Sequence, residues 1–591
     1  MPFRTRFRFL HHHALALAVV LGASGLASGA ESRVLPPGEK PKDQRLSDLK
    51  DLDGFFPFQP KKSAAEWEAR AADLRRQLLV ANGLWPMPTK TPLKVTVHGK
   101  VDRPGYTVER VYFESFPGLY VTGSLYRPKG FEGKRPAVLC PHGHWANGRF
   151  HDHGEAGLKQ ELATGGEKFS PSGRHPLQAR CVQLARMGCV VFHYDMLGYA
   201  DSVPLTQKLA HGFAKQRPEL SSPERWGLFS AQSELRLISA LGLQTLNSIR
   251  ALDWISSLVD VDAARIGVTG ASGGGTQTFI LGAIDPRPAA AFPAVMVSTA
   301  MQGGCTCENA TYLRVGTGNV EIAALFAPRP LSMSFADDWT KEMPEKGMPA
   351  LRQHYAMLGV ADRVEGQYFP YPHNYNLPSR TMMYKWFNKH LGVGQSSPIV
   401  EREFTPLSTA ELTVWDDAHP KPPSGDEQEV ALLKALDADA RKQMDALVPR
   451  DAASLAEFRR VVGGALEVMI GRRFPSEGAI EHDKRSKEDR GAYFEFGSLV
   501  RWKEHGEEVP VLFLYPKNWN RQVVVWASAQ GKNALLRDGK PNAQVQRLLD
   551  HGTAVAGVDL FQQGEYLDDG QPVTQSRRVK NTREFAGFTL G

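Results

Sequence analysis

Cysteine is scarce in this 591-residue chain: five residues, Cys140, Cys181, Cys189, Cys305 and Cys307, all lie in its first two-thirds. So few thiols in so long a chain exclude a disulfide-scaffolded fold, and the odd number leaves at least one unpaired within the chain. No pair of CxxC motifs occurs, which removes the commonest structural zinc pattern. Charge of one sign is also lacking. The formal net charge is +7 from 71 basic and 64 acidic residues, too small to argue for nucleic acid or an acidic membrane surface. Beyond the first thirty residues no apolar run is long enough to span a bilayer.

Those thirty residues have their own layout. Arg4, Arg6 and Arg8 precede the apolar "ALALAVVLGA", and "LASGA" supplies small residues up to Ala30. A basic start, a short apolar centre and small residues at the end form a secretory signal peptide. Without it the charge falls to +4. The expectation is an exported protein, periplasmic or secreted, without a membrane anchor. If any disulfide forms, it should involve the loop bearing Cys305 and Cys307.

Residues 31–99 read as a leader rich in Pro, Lys and Asp, followed by a helix with apolar spacing at Trp67, Ala71, Leu74 and Leu78 that stops before Pro86. From 100 to 395 short apolar strands alternate with helical stretches. "YTVERVYFES" and "LYVTGSLYRP" suggest a hairpin, and "AVLC", "CVVFHY", "RIGVTG", "AAAFPAVMV" and "PLSMSF" suggest buried parallel strands. Such alternation specifies an α/β fold with helices on both faces of a mostly parallel sheet. Residues 150–175 and 201–232 read as surface insertions, and 396–450 as a linker with a polar helix.

The last third repeats the plan. "AYFEFGSLVRW" echoes "VYFESFPGLYV", "VVVWASAQGK" echoes "AVLCPHGHW", and "GTAVAGVDLFQQGEY" echoes "GCVVFHYDMLGYAD". Residues 451–591 are therefore expected to form an incomplete second copy of the fold. Gln530-Gly531-Lys532 aligns with His142-Gly143-His144. The second copy has 32 residues after Asp559, whereas the first uses 77 from Asp195 to Ser272. It is expected to be catalytically inert.

The chemistry concentrates at "GASGGG". Ser272 stands at the centre of GxSxG, after an apolar strand and before a helix-competent stretch, the context of a nucleophile elbow. Gly270, Gly273 and Gly274 let the turn close. A serine needs a base, and His373 follows in a turn-rich loop late in the domain. The acid should leave the end of the intervening strand. "ADD" supplies Asp337, the preferred residue, and its neighbour Asp338; Glu308, after the preceding strand, is a third choice. For the oxyanion, donors are expected from the Gly273 amide and the His144 backbone, with His142 ordering the loop. His142, His144, His151 and His153 lie on no common rigid face, so no metal and no cofactor are expected. Trp145, Trp226 and Trp339 flank these loops and could stack on sugar rings.

On these residues ("PHGH", "DMLGYADS", "GASGGG", "APRPL", "ADD" and His373) the chain resembles the α/β-hydrolase superfamily, most closely the dienelactone-hydrolase and acetyl-xylan-esterase branch. The stretch "GGCTCENATYLRVGTGN" resembles an exported bacterial acetyl-xylan-esterase-like subgroup. The resemblance implies a serine esterase without cofactor, acting on acyl esters of polysaccharides such as xylan, and favours Asp337 as the acid. The chain lacks a propeller, which speaks against peptidase activity. It also lacks the Cys-Ser-Arg elbow of glucuronoyl esterases. Alternatives are another carboxylic-ester hydrolase, or a non-catalytic carbohydrate-binding protein on the same fold.

Overall fold

In the computed structural model, residues 32–47, 52–212 and 217–567 are described. The signal-peptide expectation lies outside them. No described helix is long and apolar enough to cross a membrane. The described chain falls into two compact units, one of residues 52–472 and one formed by 32–47 together with 473–567.

The larger unit is built on nine strands: β1 (Thr96–Arg103), β2 (Tyr106–Phe116), β3 (Leu119–Pro128), β4 (Arg135–Leu139), β5 (Val190–Tyr194), β6 (Val261–Ala271), β7 (Pro288–Ala294), β8 (Leu331–Phe335) and β9 (Val364–Tyr368). They lie in the order β1-β2-β3-β5-β4-β6-β7-β8-β9. β1, β2 and β3 pair antiparallel, β3 meets β5 antiparallel, and from β5 to β9 every pairing is parallel. β1 is an edge strand with alternating half-buried residues. Its polar "TVHGKVDR" carries too little apolar signal to be read from sequence.

Side-chain alternation explains how both faces are covered. Ala137 and Leu139 of β4 and Val190 and Phe192 of β5 join one core, where Phe192 meets Trp254 of the helix Ala240–Ser256 at 4.7 Å between ring centres. Their neighbours Val138 and Val191 join the opposite core with Val182 and Phe387. A period-2 strand that is apolar at every position must be buried on both sides. Residues 396–450 are not a detached linker. Ile399, Phe404, Leu407 and Leu412 complete one core, and Leu432, Leu433 and Leu436 of the helix Asp426–Ala446 complete the other. Residues 452–470 also belong to this unit rather than to the second copy: Trp85 Nε1 donates to the Val461 carbonyl at 2.9 Å, and Arg76 pairs with Glu467.

The smaller unit repeats half of this sheet. Its strands are β10 (Ile480–Asp489), β11 (Tyr493–Trp502), β12 (Glu507–Pro516), β13 (Val523–Trp526) and β16 (Ala554–Val558), ordered β10-β11-β12-β16-β13. That is the order of β1 to β5 in the larger unit, with the same parallel and antiparallel senses. β14 (Leu536–Arg537) and β15 (Lys540–Pro541) form a separate small hairpin.

A buried ion cluster recurs with the sheet. In the larger unit the fully buried Arg149 grips Asp195 through Nε and Nη2 at 2.9 and 3.0 Å and reaches Asp201 at 2.8 Å. In the smaller unit Lys532 Nζ bonds Asp559 at 2.7 Å and Glu565 at 2.8 Å. Each second carboxylate also accepts from a backbone amide on a distant segment: Asp201 from Val414, Glu565 from Val34 and Leu35. Gly531-Lys532 thus stands where Gly148-Arg149 stands, both glycines having positive φ. The expected alignment with His142-Gly143-His144 is corrected accordingly. The chain echo was real, but the matching position is set by charge pairing inside the fold.

Candidate active site

β6 ends in a turn so tight that Ser272 adopts φ 56° and ψ −127°, immediately before the helix Gly273–Ile284. A β-carbon-bearing residue held there costs on the order of 1–3 kcal/mol, and persists only where its surroundings enforce it. The enforcement is visible at the glycines. A β-carbon on Gly270 would lie 2.6 Å from the Gly274 and Pro141 carbonyl oxygens, and one on Gly274 2.7 Å from the Pro141 oxygen. On Gly143 it would come within 2.7 Å of Ser272 Cβ. The His142-Gly143-His144 loop therefore runs directly against the serine. His142 holds that loop as expected: its Nδ1 donates to the Gly143 carbonyl at 2.8 Å and its Nε2 accepts from the Met196 amide at 3.2 Å. Burial pushes this imidazole down to about 3, so it stays neutral.

The carboxylate that meets His373 is Asp338, not the preferred Asp337. His373 Nδ1 lies 2.6 Å from Asp338 Oδ2. The side chain of Asp338 is 5% exposed, whereas that of Asp337 is 54% exposed and turned to Lys341. The backbone decides this. The Asp337 amide donates to the Tyr371 carbonyl at 2.8 Å, which aims its side chain outward and the next one inward. Thr340, which sequence reasoning missed, fixes the other oxygen: its amide and its hydroxyl donate to Asp338 Oδ1 at 2.7 and 2.5 Å. The hydroxyl itself accepts from the Ala336 amide at 3.0 Å. Glu308 is buried and accepts from the Gly304 amide at 2.7 Å, with its other oxygen 3.9 Å from His144 Nδ1.

The tryptophans separate. Trp339 lies beside His373, 4.5 Å between ring centres. Trp145 touches the Gly143 turn. Trp226 is 3% exposed in the core, under the Arg236 guanidinium, and is not available to a ligand.

All five cysteines are free and buried. At the loop where any disulfide was expected to form, both thiols are free: Cys305 faces His211 at 3.4 Å and Cys307 faces His144 at 3.1 Å. His211 was also missed: it lies in a segment that reads only as an insertion. His151 and His153 meet edge to face, 4.6 Å between ring centres, and do not join that cluster.

No protein-family model and no curated protein matches the sequence. Solved structures similar to it include a methylesterase, BT1017, at 26% identity and a TM-score of 0.47, with 68% of this chain and 78% of that one covered. A glucuronoyl esterase from Solibacter usitatus matches at 15% identity and 0.37, over 59% and 100%. An acetyl xylan esterase from Paenibacillus sp. R4 matches at 18% and 0.33, over 57% and 98%. The chain's own sheet order and its strand–serine–helix turn are those of the α/β-hydrolase fold.

Proposed function

We propose that the chain is a serine esterase acting on ester-substituted carbohydrates. The observation that carries the reading is the His373–Asp338 bond at 2.6 Å, in a fold that places Ser272 at a strained elbow and orders serine, aspartate and histidine along the chain. In this reading Ser272 Oγ attacks the ester carbonyl while His373 Nε2 takes its proton. Asp338 accepts from Nδ1–H, fixing the tautomer and stabilising the imidazolium. The proton then passes to the leaving alkoxide, and water repeats the sequence to release the acid. The Gly273 amide, free at the first turn of its helix, and the His144 amide receive the oxyanion. Gly143 allows that approach because it has no side chain to strike Ser272. Trp339 and Trp145 offer flat apolar faces to a sugar ring.

The acyl group is proposed to be acetyl and the glycan xylan-like, on the resemblance of the motif residues alone. The N-terminal segment supports export. Hydrolysis of acetylated xylan, small acetyl esters and methyl uronate esters by the purified protein tests the substrate class. Ser272→Ala should retain the fold and lose at least about a thousand-fold in rate; near-wild-type turnover in that variant would falsify the assignment.

A further inference from the structure

We propose that His144, His211, Cys305 and Cys307 form a binding site for a zinc-class divalent cation beside the elbow. The four come from three separate places in the larger unit: the loop after β4, the segment after the helix Gln207–Ala210, and the loop after β7. One donor atom from each lies within 4.8 Å of the other three. Zinc–sulfur bonds of about 2.3 Å and zinc–nitrogen bonds of about 2.0–2.1 Å put tetrahedral neighbours roughly 3.4–3.8 Å apart. His144 Nε2 is 3.1 Å from Cys307 Sγ, and His211 Nδ1 is 3.4 Å from Cys305 Sγ. Sub-ångström adjustment brings both contacts to those edges.

The surroundings suit metal ligands. His211 donates from Nε2 to the Leu197 carbonyl at 2.8 Å, which leaves the Nδ1 lone pair aimed at the cysteine. A ring fixed by its second nitrogen is the usual arrangement of a metal-bound histidine. The Gly212 amide donates to Cys305 Sγ at 3.2 Å, a contact that favours thiolate. Glu308 stands 3.9 Å behind His144 Nδ1. His211 and both cysteines are buried. Two thiolates and a divalent cation sum to zero charge, so the site can be neutral where water is scarce; the two thiol protons leave to solvent as the metal enters. All four positions are filled by protein, which marks the site as structural. It would tie the His142-Gly143-His144 loop to the loop after β7.

Metal content and cobalt absorption test this without reference to hydrolysis. The reduced, chelator-treated full-length protein is titrated with Zn2+, and separately with Co2+ under absorption. One equivalent should bind, with a near-ultraviolet sulfur-to-cobalt band and strong visible bands of a tetrahedral ion. In mild denaturant, where buried thiols are transiently exposed, Zn2+ should slow alkylation of Cys305 and Cys307 more than that of Cys181. Cys305→Ser, Cys307→Ser and His211→Ala should each lose the cobalt band, while His98→Ala, in the surface cluster of His98, Asp416 and His419, should keep it. If the substituted proteins fail to fold, wild-type stoichiometry and thiol protection still decide. Reduced protein that binds no equivalent of either metal, a Cys305–Cys307 disulfide in freshly isolated protein, or a cobalt band surviving in Cys307→Ser overturns the proposal. Loss of esterase activity with an intact cobalt band would count against the enzymatic reading and leave the site standing.

Discussion

Asp338 and Asp337 are adjacent carboxylates with opposite fates, separated by one peptide unit's orientation. Only Asp338 is sheltered, bonded to His373 and held by Thr340. Asp338→Asn is therefore expected to lower kcat by about a thousand- to ten-thousand-fold on any ester the protein cleaves, as loss of the orienting carboxylate does in such sites. Asp337→Asn should change kcat by less than a few-fold, because its partner is the exposed Lys341. Steady-state kinetics of the two variants checks this, and equal effects would dissolve the assignment. A second residue-scale prediction concerns acid. His354 is fully buried between aromatic rings, 4.2 Å from Trp67 and 5.5 Å from Phe58 between centres, and burial lowers its pKa to about 4. The unfolded chain takes up this proton near pH 6.5 and the folded chain does not. Stability should thus be intact above pH 6.5 and fall by on the order of 2 kcal/mol as pH drops toward 4. Urea unfolding of the wild type and His354→Phe across that range should show a shallower pH slope in the variant.

At the scale of elements, the elbow works because two backbone segments pass closer than any side chain allows. Gly274 sits where a β-carbon would meet the carbonyl of Pro141 and the carbon of His142. Both neighbours are main chain, so neither can rotate away. Gly274→Ala is expected to cost about 1–3 kcal/mol through overpacking. It should also push the His142-Gly143-His144 loop off the serine, lowering kcat more than it raises KM. Thermal unfolding combined with kinetics measures both; a variant with wild-type Tm and kcat would show that the loop is not pinned there.

Across the molecule, the recurring cation with two carboxylates is the device that closes each copy of the half-sheet. Arg149 and Lys532 are both fully buried. Removing one partner of such a cluster leaves uncompensated buried charge and costs about 3–5 kcal/mol. Lys532→Met should therefore destabilise the smaller unit, since Asp559 and Glu565 would remain buried without their cation. Hydrogen exchange should show protection lost within 473–567 and retained at β4 to β9. Turnover by the larger unit should be unchanged, as every residue assigned to the chemistry lies there. Protection lost equally in both units would show that they unfold as one.

What the sequence determined by itself were the features written in local pattern. Apolar runs at every position required doubly covered strands, the small residues around Ser272 required a turn, and the order of serine, acid region and histidine limited the chemistry. The repeat was legible because strand spacing is a property of the chain. The rest depended on contacts between distant segments. Whether Asp337 or Asp338 faces inward depends on a backbone bond to Tyr371. The counterpart of Lys532 depends on which carboxylates it reaches, and Trp226 is core because Arg236 and the helix Asp426–Ala446 cover it. The meeting of His144 and His211 with Cys305 and Cys307 joins residues up to 163 positions apart. No local pattern encodes such a meeting, because only the closed sheet brings those loop ends together.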